Sequence, residues 1–112
     1  MTSNLLPSTA EALPLFVILW RFRSAPGRDL DFERAYGAGG DWARFFAAGP
    51  GYLGTDLLRG ADGVYITIDR WTGEEAYEAF RREHRDRYEA IDRTCEALTA
   101  EETLLGRFSE PG

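Results

Sequence analysis

The sequence predicts an α+β fold in which four strands form one antiparallel sheet and the helices lie on one of its faces. Three observations carry that expectation. Two runs rich in β-branched and aromatic residues, Leu15–Arg23 and Val64–Trp71, alternate with the period of two that strands require. A long stripe of Tyr77, Phe80, His84, Tyr88, Ile91, Cys95 and Leu98 advances in steps of three and four, as on one face of a helix. The elements follow one another as β-α-β-β-α-β, the ferredoxin-like split βαβ order.

Residues 1–13 hold Ser, Thr, Asn and Pro with no sustained period, and are expected to be a flexible tail before a domain at 14–110. In the first strand Phe16, Ile18, Trp20 and Phe22 share one face, and Leu15, Val17, Leu19 and Arg21 the other. Both faces are largely apolar, so both need cover. A chain of 112 residues has helices for only one side. The second side therefore calls for another copy, and a homodimer is expected. Ala25-Pro26-Gly27 is a turn, followed by a helix over 28–37 with Phe32 and Tyr36 on one face. Gly37–Gly40 breaks it. Asp41 is expected to cap a short helix carrying Trp42, Phe45 and Phe46, and Gly49-Pro50-Gly51 stops it.

The second strand is expected over Tyr52–Leu58, and Asp62-Gly63 marks a hairpin turn. In the third strand Tyr65, Thr67, Asp69 and Trp71 share one face, and Val64, Ile66, Ile68 and Arg70 the other. Thr72-Gly73-Glu74-Glu75 has the form of a capping box with Thr72 as cap. The helical stripe beyond it suits one helix, or two with a bend near Arg85–Arg87. Thr103–Phe108 is expected as a short last strand.

Composition excludes several functions. The net charge is -6, and all 13 basic residues are Arg. An acidic chain without a basic stripe argues against nucleic acid and against an anionic membrane surface. Hydrophobic residues at 44% and charged residues at 29% argue for a globular chain over a disordered one. Cys95 is the single cysteine, so neither an internal disulfide nor a cysteine metal cluster is expected, and a reducing cytoplasm fits. The first 14 residues lack the basic and apolar regions of a signal peptide, and the run Leu15–Trp20 is too short to span a bilayer. The glycines at 37, 39 and 40 resemble no phosphate loop, and no flavin or nicotinamide fingerprint is present.

Three segments carry a family resemblance: Gly51-Tyr-Leu-Gly-Thr-Asp-Leu-Leu, Tyr65-Ile-Thr-Ile-Asp-Arg-Trp71 and Glu75-Ala-Tyr-Glu-Ala-Phe80. Together with the Trp71 to Tyr77 spacing they resemble the antibiotic biosynthesis monooxygenase family, over about residues 15–108. The resemblance implies a dimeric α/β barrel. It also implies that Trp71 and Tyr77 match the pocket tryptophan and tyrosine of the cofactor-free, quinone-forming members. Those members' strand asparagine is Thr67 here, and their helix arginine has no single match among Arg85, Arg87 and Arg93. Haem-degrading members fit worse: their first-strand asparagine falls at Trp20, and their axial histidine near Ala90.

Several side chains are candidates for chemistry. Asp69, beside Thr67 and Trp71 on one strand face, suits a carboxylate whose pKa an apolar pocket raises toward that of a general base. The plainer alternatives are an ion pair with Arg21 or Arg70 across the sheet, or a solvated strand end. His84 is the only histidine; it suits proton transfer near neutral pH, or else packs at the core edge. A lone histidine without acidic partners gives no metal site. Trp71, Tyr77, Tyr65, Trp20, Phe80 and Tyr88, with Thr67, suit an aromatic box for a flat ring, against simple core packing. The expected function is a cofactor-independent monooxygenase. It would oxidise an anthrone, phenol or hydroquinone with O2. The alternatives are a cyclase, isomerase or decarboxylase without O2, and a non-enzymatic binding or stress-response dimer.

Overall fold

In the computed structural model, which describes residues 15–111, alternation along the chain decides which residues meet the helices. The expected tail at 1–13 lies outside the described residues. Strand β1 (Phe16–Ser24) buries Phe16, Ile18 and Phe22. It continues through a turn at Pro26-Gly27 into α1 (Asp29–Tyr36) and then α2 (Asp41–Phe46). Strand β2 (Tyr52–Arg59) and β3 (Val64–Trp71) form a hairpin, with Asp62 at φ 56 and Gly63 at φ 75 in its turn. Next come α3 (Glu74–Glu83), α4 (Arg85–Cys95), a single 3-10 turn (Glu96–Leu98) and β4 (Thr99–Ser109). The four strands lie in the order β2-β3-β1-β4, every neighbour antiparallel. This is the fold the element order predicts.

Three local expectations need correction, and one left open is decided. Asp41 does not cap α2; Gly40 holds that position in extended backbone, and Asp41 is the first helical residue, where its charge suits the helix dipole. Thr72 does not cap α3 either. Gly73 does, and no side chain bonds the cap. The Thr72 hydroxyl is held instead against Gly51, where an added Cβ would meet its Oγ1 at 2.6 Å and the Ala76 Cβ at 2.8 Å. With φ at +94° as well, position 51 requires glycine. Of the two readings of the helical stripe, the structure has two helices, which meet at His84 beside the expected bend near Arg85–Arg87. His84 donates its N–H to the Phe80 carbonyl and accepts from the Tyr88 N–H, so the hydrogen bonds bridge the bend. Finally, β4 starts at Thr99, ahead of the expected Thr103. Its polar opening pairs with β1 through Glu101 opposite Arg23 and Glu102 opposite Phe22, a ladder that hydropathy does not reveal in an edge strand.

The core is aromatic. Phe32 stacks on Tyr36 at 4.3 Å and on Tyr65 at 4.6 Å. Trp71 is wholly buried, edge-on to Phe46, Tyr52 and Tyr77. Each such ring contributes roughly 1.5–3 kcal/mol by burial. The opposite sheet face carries Val17, Leu19, Ile66 and Ile68, with Leu58 and Phe108 more than half exposed. No helix among the described residues covers it.

Candidate active site

The residues that face the helices from the middle of the sheet line a cavity, and strand register decides which ones meet. β3 supplies Thr67 and Asp69. Pairing with β1 sets Trp20 opposite Thr67, and pairing with β2 sets Thr55 opposite Asp69. The helices close over this floor with Tyr36 from α1, Trp42 and Phe46 from α2, and Tyr88 from α4. Exposed Asp92 and Glu102 stand at the open side. The cavity volume is about 50 Å³.

Asp69 is the polar centre. Its Oδ1 accepts a hydrogen bond of 2.7 Å from the Thr55 hydroxyl. It forms no ion pair among the described residues: Arg70 pairs with Asp56, and Arg21 with Glu101, so the ion-pair alternative for Asp69 does not hold. Burial raises its pKa to about 6, against the opposing effect of the Thr55 bond. Such a carboxyl holds or releases a proton close to neutral pH. Burial also pushes the Tyr36 and Tyr88 phenols above their usual range, so both remain protonated donors. The Trp42 indole N–H is buried with no hydrogen-bond partner among the described residues.

The structure brings together four of the nine candidates from the sequence. Asp69, Thr67, Trp20 and Tyr88 line the cavity. Trp71, Tyr77, Tyr65 and Phe80 do not; they are buried beneath or beside it as core. Tyr65 donates to Glu33, and Tyr77 accepts from Arg81 at 2.9 Å. His84 is also outside the cavity. It packs on Phe80 at 4.5 Å, beside a groove formed by residues 82–87. The arginine nearest the cavity wall is Arg81, which sequence reasoning missed; its guanidinium lies 3.9 Å over the Tyr88 ring. Tyr36, Trp42 and Phe46, not among the candidates from the sequence, belong to the core and also form cavity walls. Thr55, Asp92 and Glu102 were also missed, and only pairing register or helix packing reveals them. Among the described residues no cluster of three or more His, Cys, Asp and Glu side chains is arranged to hold a metal ion.

No protein-family model and no curated protein matches the sequence. Solved structures do. SnoaB of Streptomyces nogalater, a cofactor-independent oxygenase, is 25% identical with a TM-score of 0.68, over 88% of this chain and 94% of its own. This chain shares its fold with that oxygenase and with structures of antibiotic biosynthesis monooxygenases. The ActVA-Orf6 monooxygenase of Streptomyces coelicolor, solved with nanaomycin D, has a TM-score of 0.60 at 20% identity, over 87% of this chain and 88% of its own. A Nitrosomonas europaea protein provisionally classed as an antibiotic biosynthesis monooxygenase has a TM-score of 0.58 at 14% identity, over 85% of both chains. The resemblance seen in the sequence is thus borne out. Of the chain's helices among the described residues, none is long and apolar enough to cross a membrane.

Proposed function

We propose that this protein is a monooxygenase that oxidises a flat, electron-rich aromatic of polyketide type with O2, without a bound cofactor and as a homodimer. The observation that carries this reading is Asp69: a part-buried carboxyl of raised pKa, paired among the described residues only with a hydroxyl, in an aromatic-walled cleft. An anthrone illustrates the chemistry. Asp69 takes one proton from the acidic CH2. The carbanion passes one electron to O2, and the resulting radical and superoxide combine and, with a proton, give a hydroperoxide. Loss of water, which carries away the second C–H hydrogen, leaves the quinone carbonyl. The hydroxyls of Thr67, Tyr36 and Tyr88 are donors suited to the developing oxyanion. With Asp69, Asp92 and Glu102 on its walls and no cationic side chain among them, the cleft favours an uncharged substrate. Its cavity of about 50 Å³ is smaller than the pockets that enclose drug-sized ligands, so the ring must occupy the open mouth as well.

The open sheet face supports the homodimer: its apolar row of Val17, Leu19, Ile66 and Ile68 is cover for a second copy. The test of function is O2 uptake by chelator-treated protein given anthrone. Uptake above the protein-free blank, with quinone in step and lost in Asp69→Asn, is the expected result. Conversion without O2 uptake would transfer the site to a cyclase, isomerase or decarboxylase. Tight binding with no product would make it a binding module.

A further inference from the structure

Asp69 is the inner end of a chain of hydroxyls. The Thr55 hydrogen points to Asp69 Oδ1, so Thr55 Oγ1 accepts from the Tyr52 phenol, 2.5 Å away. Tyr52 is half-buried and opens the edge strand β2. The bond to Thr55 leaves Asp69 Oδ2 with no partner among the described residues, in the cavity that Asp69 lines. A carboxyl with one oxygen at a cavity and the other on a hydroxyl pair is suited to move protons between the two sides.

We propose that Thr55 and Tyr52 form a proton relay that returns Asp69 to its carboxylate after each turnover. The proposal rests on Asp69 being the base. Oδ2 takes the substrate proton. A half-turn about Cβ–Cγ then brings that protonated oxygen to Thr55. With Asp69 protonated both hydroxyls turn over, so that the carboxyl donates to Thr55, Thr55 to Tyr52 and Tyr52 to water. The proton then passes to Thr55 as Thr55 gives its own hydrogen to Tyr52 and Tyr52 gives its hydrogen to water. Each hydroxyl gains one proton and loses one, and no electrons move. Tyr52 need not ionise, which matters because burial raises its pKa.

The first test needs no substrate. The 13Cζ resonance of Tyr52 is followed by NMR while Asp69 is titrated. The relay predicts that Tyr52 senses the Asp69 midpoint near pH 6, that Thr55→Val abolishes this response, and that Thr55→Ser retains it. A Tyr52 signal blind to Asp69, or unaltered in Thr55→Val, would overturn the proposal. The second test is O2 uptake with anthrone. Tyr52→Phe should lower turnover by about tenfold while leaving the Asp69 midpoint in place. Full turnover in Tyr52→Phe with none in Asp69→Asn would overturn the relay and spare the function. Full turnover in Asp69→Asn would overturn Asp69 as the base, and the relay with it, while sparing the oxygenase.

Discussion

Replacing Asp69 by Asn should stabilise the protein in a pH-dependent way. The carboxyl pKa rises from its ordinary 3.8 to about 6 in the fold. Between those values the folded state holds a proton that the unfolded chain has released. Wild-type stability therefore falls as pH rises through this window, the reverse of an ion-paired carboxylate. The rise corresponds to about 3 kcal/mol, fully felt above pH 7 and absent below the unfolded pKa. Asn has nearly the same shape, carries no charge and can still accept the Thr55 hydrogen bond. The assay is urea unfolding of both proteins from pH 4 to pH 8 at one protein concentration, because a dimer's stability depends on concentration. The variant's advantage should grow with pH and level off just above pH 6. A difference that stays flat across the range would refute the claim that burial raises this pKa. Loss of activity alongside gained stability is the trade expected of a base held in a dry site.

The open sheet face gives a second prediction: light scattering should find the wild type a dimer, as proposed, and Ile68→Glu a monomer, and a dimer mass unchanged in the variant would remove this face as the interface. Gly51→Ala should destabilise by about 2 kcal/mol or more, since it adds a Cβ into Thr72 and Ala76 at a positive φ; an unshifted thermal melt would contradict the close approach. Trp71→Ala should cost about 3–5 kcal/mol, because the ring is wholly buried. If its melting curve matches wild type, Trp71 is not core.

Much of the fold was legible because β1 and β3 bury alternate residues, and that alternation survives in the sequence. The helical stripe was equally plain, and its buried members Tyr77, Phe80, Cys95 and Leu98 all enter the core. The site was legible only in part. Asp69 stood out as a carboxylate between Thr67 and Trp71 on a strand face. Thr55 did not, because nothing local marks a threonine that register alone sets opposite Asp69. Trp71 and Tyr77 looked like pocket residues because an aromatic pattern reads the same whether rings touch a ligand or each other. His84 lies on the apolar stripe, yet the bend at that residue sets it beside the exposed 82–87 groove. A bend without Gly or Pro leaves no local sign in sequence.

The register shift between β1 and β4 at Leu19 and Trp20 has a consequence of parity. Before it, even-numbered β4 residues lie on the helix side, with Leu104 opposite Trp20 and Glu102 opposite Phe22. After it the odd numbers take that side, with Arg107 opposite Ile18, where Arg107 reaches Glu78. One extra residue thus lets a strand present Glu102 to the cleft and Arg107 to α3 from the same face, which an unbroken alternation forbids. Deleting Leu105 would restore strict alternation and force a choice: Glu102 turned onto the apolar face, or Arg107 turned away from α3. The spare residue in this edge strand therefore governs the charge of the cleft's mouth from a position outside it.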